Sequence, residues 1–276
     1  GTGIPTSGIE RSKPANVVMA GNKFFLVDCG AGVVQRLFMA GLPPSRISDL
    51  LLTHHHADHT SGFHDFLTTR WIGKAEPGQC SPLHVYGPGN TREQIGKQMV
   101  SLDWDLNIRI KNAKACSSGI QTLYHEMNDG VIFQKDGIKI TAFSVDHGIV
   151  KPAIGYRFEY KNKVVVISGD TLPTENMIRF SEGADILIHE AYSKDWMEKA
   201  KASNPNQETI INRVMSYHTS TTEAAEIAQK AGVKHLVYTH LIPDPTPVWY
   251  FERMWAKGAS DYYEGKITVG RDLMAF

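Results

Sequence analysis

Four histidines and one aspartate fall within six consecutive positions, His54-His55-His56-Ala57-Asp58-His59. The apolar run Leu50-Leu51-Leu52-Thr53, of strand length, precedes them, and Thr60-Ser61-Gly62 reads as a turn into a helix. Such a cluster at the end of a buried strand is costly to desolvate unless something positive holds it together. Neutral imidazole nitrogen and carboxylate oxygen are ligands that zinc, iron and manganese accept. In an extended segment alternate residues share a side. The spacing therefore lets His54 and His56 grip one ion while Asp58 and His59 reach a second. A surface histidine run or a tag remnant is the plainer reading, but this run is internal, contains Asp58 and follows a core strand.

Four further apolar strands end in the same way. Phe143-Ser144-Val145-Asp146 runs into His147, and Val165-Val166-Ile167-Ser168-Gly169 into Asp170. Ile186-Leu187-Ile188 runs into His189-Glu190, and Leu236-Val237-Tyr238-Thr239 into His240. α/β sheets place their ligands at the carboxyl ends of strands, so five such endings point to one convergent site.

Helical segments are expected over Val33 to Ala40, Gly62 to Ile72, Thr91 to Leu102, Thr174 to Ser181 and Ser220 to Ala231. The last carries a capping-box pattern, Ser220-x-x-Glu223, and Gly232 beyond its end. Strands are expected over Phe24 to Asp28, Leu50 to Thr53, Leu83 to Tyr86, Ile138 to Val145, Ala153 to Tyr160, Val164 to Ser168, Asp185 to Ile188 and Leu236 to Thr239. With no repeat, low-complexity tract or linker, positions 1–276 read as one α/β layered domain.

Lys plus Arg and Asp plus Glu both number 29, and the zero net charge argues against a broad nucleic-acid surface. No run of 18 apolar residues offers a membrane span. The chain opens at Gly1 without a basic, apolar leader, so a signal peptide is expected to be absent or already removed. Cys29 reads as a small buried residue, while Cys80 and Cys116 would pair in an exported protein and stay free in a cytoplasmic one. The compartment stays open.

Two metals with a bridging carboxylate need about seven protein ligands, and the candidates supply them. His54, His56 and His147 serve one ion, Asp58, His59 and His240 the other, with Asp170 between. A site without Cys is more often catalytic than structural. Ions about 3.5–4 Å apart share a water, lower its pKa towards neutrality and neutralise the oxyanion formed on phosphorus, sulfur or carbon. Two zinc ions are expected, with manganese or iron as substitutes. Asp58 therefore counts as catalytic as well as a ligand. His218, just before the capped helix, and Glu190 pair as a candidate proton shuttle, the carboxylate orienting an imidazole that protonates a leaving oxygen. The plainer alternative is a structural histidine in a turn beside an exposed glutamate.

The order His54-x-His56-x-Asp58-His59, His147, Ser168-Gly169-Asp170-Thr171 and Thr239-His240 resembles the metallo-β-lactamase superfamily over nearly the whole chain. Asp28-Cys29-Gly30-Ala31-Gly32, Gly155-Tyr156-Arg157, Leu187-Ile188-His189-Glu190-Ala191 and His218-Thr219-Ser220 resemble its ribonuclease Z branch, which includes phosphodiesterases and an arylsulfatase-type subgroup. The resemblance implies a four-layer αββα sandwich, a dinuclear zinc site at the edge between the sheets, and Glu190 with His218 as the acid pair. It also implies that Gly1-Thr2-Gly3-Ile4-Pro5 is entered part-way, as in a trimmed chain. Relatives in this branch are often dimers, so a homodimer is possible.

Departures from the branch bear on substrate. The tRNA-maturing members carry a projecting arm between the His147-type and Asp170-type ligands, where this chain has 22 residues, enough for two strands and a turn. Leu241-Ile242-Pro243 replaces the usual Ser-x-Arg-Tyr type of continuation. Trp249, Tyr250, Phe251, Trp255, Tyr262 and Tyr263 follow, and these and Trp71 are candidates to line a pocket for a flat group. His55 and His64 are expected to support the site or point away, His189 to be core or supporting, and His84, His125 and His235 to lack partners. Gly87-Pro88-Gly89 is a turn, not a phosphate loop.

The reading is a dinuclear zinc hydrolase in which a metal-bridging hydroxide attacks a small phosphodiester or aryl sulfate ester. The alternatives are a ribonuclease Z-type RNA endonuclease, a β-lactam or lactone hydrolase, and a metal-binding protein without activity. Replacing His56 by Ala is expected to remove bound zinc and turnover together, as read by elemental analysis and assay; full activity would refute the assignment.

Overall fold

A computed structural model describes residues 1–73, 80–112 and 116–276 and shows two sheets. The first runs in the order β1 (Asn16–Ala20), β2 (Lys23–Val27), β3 (Asp49–Leu51), β4 (Leu83–Gly87) and β5 (Thr122–Glu126). β1 and β2 form an antiparallel hairpin, and the rest pair in parallel. The second comprises β6 (Gly130–Lys135), β7 (Ile138–Ser144), β8 (Ile154–Tyr160), β9 (Lys163–Ile167), β10 (Ile186–Tyr192), β11 (His235–Ile242) and β12 (Lys266–Val269). β6 to β9 are an antiparallel meander, and β9 to β12 are parallel.

The meander is set by its turns. Asp136-Gly137 and Lys161-Asn162 each place two consecutive residues at positive φ, the geometry whose twist matches that of the flanking strands. The second turn closes the 22-residue stretch between His147 and Asp170, so two strands and a turn do occupy it.

Alternation along each strand builds three apolar layers. On β2, Phe24 and Leu26 face helices Val33–Met39 and Phe63–Ile72, among Val34, Leu37, Phe66 and Trp71. Phe25 and Val27 face the other way and join Leu51, Ile140, Ile154, Tyr156 and Phe158 between the sheets. Beyond the second sheet, Val166, Leu187, Leu236 and Tyr238 meet helices Glu175–Ser181, Thr221–Lys230 and Trp249–Trp255 through Met177, Ala224, Ala228 and Trp255. The result is the expected αββα sandwich.

The expected helix Thr91 to Leu102 is instead two, Thr91–Val100 and Asp103–Asn112. Ser101 Oγ donates to Gln98 O at 2.8 Å and closes the first, and acidic Asp103 and Asp105 favour a second start. Cys80 and Cys116 form a disulfide, and Cys29 is free and buried.

Phe25 is fully buried, its ring edge-on to Phe133 at 5.2 Å and tilted to Phe158 at 6.0 Å. Phe25→Ala opens a cavity between the sheets and is expected to cost about 3–5 kcal/mol of unfolding free energy in a denaturant titration.

Candidate metal centre

The loop after β3 and the ends of β7, β9 and β11 meet at one edge of the sandwich. Three ring nitrogens converge there: His54 Nε2 is 3.0 Å from His56 Nδ1, which is 3.4 Å from His147 Nε2. Donors about 2.0–2.1 Å from a tetrahedral zinc stand roughly 3.3 Å apart, so this spacing suits one ion. Asp170 Oδ2 lies 3.7 Å from His54 Nε2 and 3.9 Å from His147 Nε2. The same oxygen is 3.3 Å from both His59 Nε2 and His240 Nε2. Asp58 Oδ2 stands 3.3 Å from His240 Nε2 and 3.7 Å from His59 Nε2. The donors thus form two groups, His54/His56/His147/Asp170 and Asp58/His59/His240, with one Asp170 oxygen reaching both.

The imidazoles are aimed from behind. His59 Nδ1–H donates to Asp28 Oδ2 at 2.8 Å, and His147 Nδ1–H to Tyr217 O at 2.9 Å. His54 Nδ1–H donates to Thr53 Oγ1 at 3.1 Å, and that hydroxyl donates to Asp28. Each outer nitrogen carries a proton, so the inner nitrogens of the neutral His54 and His147 rings present lone pairs. His59 Nε2 and Asp170 Oδ1 are buried and find no hydrogen-bond partner among the described residues. Lone pairs converging out of water, with two orphaned donors, fit divalent ions and fit little else.

Electrostatics agree. Burial, with help from neighbouring imidazoles, holds His54 well below the usual histidine range. Burial lowers His56 and His147 too, against the pull of Asp170, so all three are neutral. Burial opposes charge on His59 as well, but Asp170 and Asp28 outweigh it and push its pKa well up, marking a place for positive charge. Asp170 stays ionised despite burial because His240 and His59 face it.

His240 reaches the site through a bulge. Glu190 pairs with Thr239 and Ala191 with Leu241, so His240 is the extra residue of β11, at φ 44. A left-handed non-glycine residue costs of order 1–3 kcal/mol and persists where the surroundings impose it. Glu190 lies inside β10, which continues to Tyr192 rather than stopping at Ile188.

Glu190 Oε1 is 3.0 Å from His218 Nδ1 and also accepts from the backbone N–H groups of Thr171 and Thr219, both at 3.1 Å. Burial opposes the imidazolium form of His218, yet the Glu190 carboxylate prevails and its pKa is raised. Asp170, His218 and His240 offer donor atoms within 4.8 Å of one another, so the pair adjoins the cluster. Tyr217 flanks it, its ring 5.1 Å from that of His147 and 4.8 Å from that of His218.

Other expectations are corrected. Trp71, Trp255 and Tyr263 are core residues, and Trp71 Nε1–H is spent on Cys116 O, so they do not line a pocket. Trp249, Tyr250, Phe251 and Tyr262 are exposed. His84 and His125 do have partners, each other at 2.9 Å, and His235 meets Thr268 Oγ1 at 2.9 Å. As expected, His55 turns away to Gly89 O and His189 is buried. Asp28 enters above only as part of a motif; its place at the end of an apolar strand is the signal that marks it. A cavity of about 340 Å³ lies elsewhere, lined by Lys23, Asp49, His84, Tyr86 and Phe133 among others. Convergent donors, which it lacks, decide for the metal edge.

Fold and site together define a metal-dependent hydrolase. Residues 23–241 match the family described as the beta-lactamase superfamily domain. Ribonuclease Z of Mycobacterium sp. (strain KMS) is 36% identical over 273 residues, 99% of this chain and 92% of that protein. The metallo-beta-lactamase fold protein YhfI from Bacillus subtilis shares the fold with a TM-score of 0.73 at 21% identity, covering 99% of this chain and 94% of its own. Human tRNase Z, short form, does so at 0.69 and 24%, covering 99% and 95%. The chain belongs to the β-lactamase superfamily, in its ribonuclease Z-like branch.

Asp28→Ala would leave His59 unaimed while touching no inner donor. Zinc affinity is expected to fall about 10- to 100-fold in chelator competition, with the fold retained; unchanged affinity would show that the carboxylate does not orient the ring.

Proposed function

We propose that the chain is a phosphodiester hydrolase working with two divalent ions, zinc foremost. His54, His56, His147 and Asp170 hold one ion, and Asp58, His59, His240 and Asp170 the other. When bound, such ions lower the pKa of water towards neutrality and offset negative charge developing on phosphoryl oxygens. The residues do the rest. Asp170 and Asp58 bring carboxylate charge to the seam, and Asp28 and Thr53 keep His59 and His54 turned inward. His218 gives its Nε2 proton to the departing oxygen, held in register by Glu190.

One observation carries the reading: a buried His218–Glu190 pair, locked by two backbone N–H groups, beside the donor cluster. A lactam or lactone needs no such strong acid for its leaving group, whereas an alkoxide leaving phosphorus does. The aryl sulfate alternative rests on the sequence resemblance alone.

A second reading has its own support. The relatives named ribonuclease Z match over 92% of their length, so RNA is a candidate diester. The balanced charge and the two-residue turn between β8 and β9 favour a small substrate instead.

The zinc-loaded chain is expected to hydrolyse phenyl and p-nitrophenyl phosphodiesters, with loss of turnover on chelation, while aryl sulfates, lactams and lactones stay intact. His218→Ala should keep its zinc and lose roughly 10²–10⁴-fold on the phenyl diester, less on the p-nitrophenyl one. Turnover confined to lactam or lactone would sink the proposal. Much faster cleavage of a 3′-extended precursor tRNA would replace the small diester with RNA.

A further inference from the structure

Tyr217 immediately precedes His218 and is held on two sides. Its carbonyl accepts from His147 Nδ1–H, and its ring stands edge-on to His147, with planes at 86°, and tilted at 51° to His218. The loop after His147 makes room for it: Gly148 is at φ +61, and a Cβ there would come 3.0 Å from Tyr217 Cβ. Two residues after His147, Ile149 is 92% exposed. The Tyr217 ring itself is half-buried, neither sunk in a core cluster nor projecting freely.

This placement has a consequence for any substrate. An oxygen that takes a proton from His218 must come within hydrogen-bonding distance of that imidazole, about 3 Å away. The group carried by the oxygen then extends next to the Tyr217 ring, whose centroid is 4.8 Å from that of His218. A flat group reaching that ring can stack on it, and stacking on an aromatic face is indifferent to the identity of the flat partner.

Resting on the phosphodiesterase reading, we propose that Tyr217 is the specificity-determining wall of the leaving-group subsite and selects diesters whose leaving group carries a flat ring, aryl or nucleobase. Its backbone carbonyl orients His147 whatever the side chain, so the ring is free to serve the substrate.

The test compares two diesters sharing one non-leaving group, with a phenoxide or a fluorinated alkoxide of matched acidity as leaving group. kcat/KM is measured on the zinc-loaded full chain and on Tyr217→Phe and Tyr217→Leu, with zinc content determined for each. The wild type should favour the aryl diester. Tyr217→Phe should keep that preference, and Tyr217→Leu should lose it by roughly fivefold to tenfold with zinc content unchanged. An unchanged ratio in Tyr217→Leu, an equal loss on both diesters, or a loss of zinc would each overturn the assignment. No turnover of either diester by the wild type would sink the phosphodiesterase reading and this subsite with it.

Discussion

The structure depends on holding imidazole lone pairs face to face out of water. Left to themselves, His54, His59 and His147 would rotate to avoid one another or to find donors. They are prevented from behind: Asp28 takes the outer N–H of His59 and, through Thr53, that of His54, while the Tyr217 carbonyl takes that of His147. Asp28 is itself at φ 59 and accepts from Thr53 N at 2.8 Å, so one buried carboxylate ties the end of β2 to the whole metal loop. Two of the residues that build the site, Asp28 and His240, sit in backbone conformations that L-residues avoid. The inference runs from that observed strain to function: the surrounding sheets supply what these positions cost.

The sheets meet directly beneath this cluster. Tyr156 Oη donates to Leu52 O at 2.7 Å, and Ile154 N donates to Thr53 O at 3.0 Å, joining β8 to the segment that becomes the metal loop. Gly169, at φ +63, lies so close that a Cβ would come 2.8 Å from both Ile154 O and Thr53 Cβ. The residue before Asp170 thus has no side chain because the residue before His54 occupies that space. Hydrogen bonds satisfied across the seam explain how polar backbone persists between two apolar layers, and they set the distance between donors arriving from different sheets.

Much of this was legible in the residues. Apolar runs ending in His, Asp or Glu pointed to His54, His147, Asp170, Glu190 and His240, which the fold brings to one edge, because a strand end is both a hydrophobic and a positional signal. What escaped was short, half-exposed or dependent on tertiary pairing. β1, β5, β6 and β12 are edge or near-edge strands of four to six residues with mixed burial, too weak in alternation to stand out. The Asp136-Gly137 turn was a local hairpin signal for β6 all the same. The bulge at His240 could not be read locally, and the strand end at Asp28 gave no sign of which residue it supports. A bulge is a mismatch between two strands, and Asp28 acts on a residue 31 positions away. The aromatic tail misled because composition does not separate core aromatics, such as Trp255, from exposed ones such as Trp249.

The division of labour between the sheets follows from these contacts. His54 and His56 arrive on the loop after β3 of the first sheet, and Asp58 and His59 on the one-turn helix Ala57–Thr60 that follows it. Asp170 follows β9, Glu190 lies in β10, His240 lies in β11, and His218 precedes the helix that packs on β10 and β11. His218, Glu190 and Asp170 therefore belong to one hydrogen-bonded unit: Thr171 N and Thr219 N grip the same Glu190 oxygen, and Thr219 Oγ1 donates to Thr171 O at 2.6 Å. That network ties the segment after Asp170 to the segment after His218, and the loop of the first sheet is joined to the second sheet by the seam hydrogen bonds. The capping box at Ser220, satisfied by Glu223, anchors the helix start two residues from His218. It also places the positive end of that helix beside His218, where it opposes the imidazolium charge that Glu190 favours. On the proposed reading, proton delivery is thus fixed relative to the carboxylate that both donor groups share, and selection of what leaves falls to the rim, where the loop after His147 meets the residue before His218.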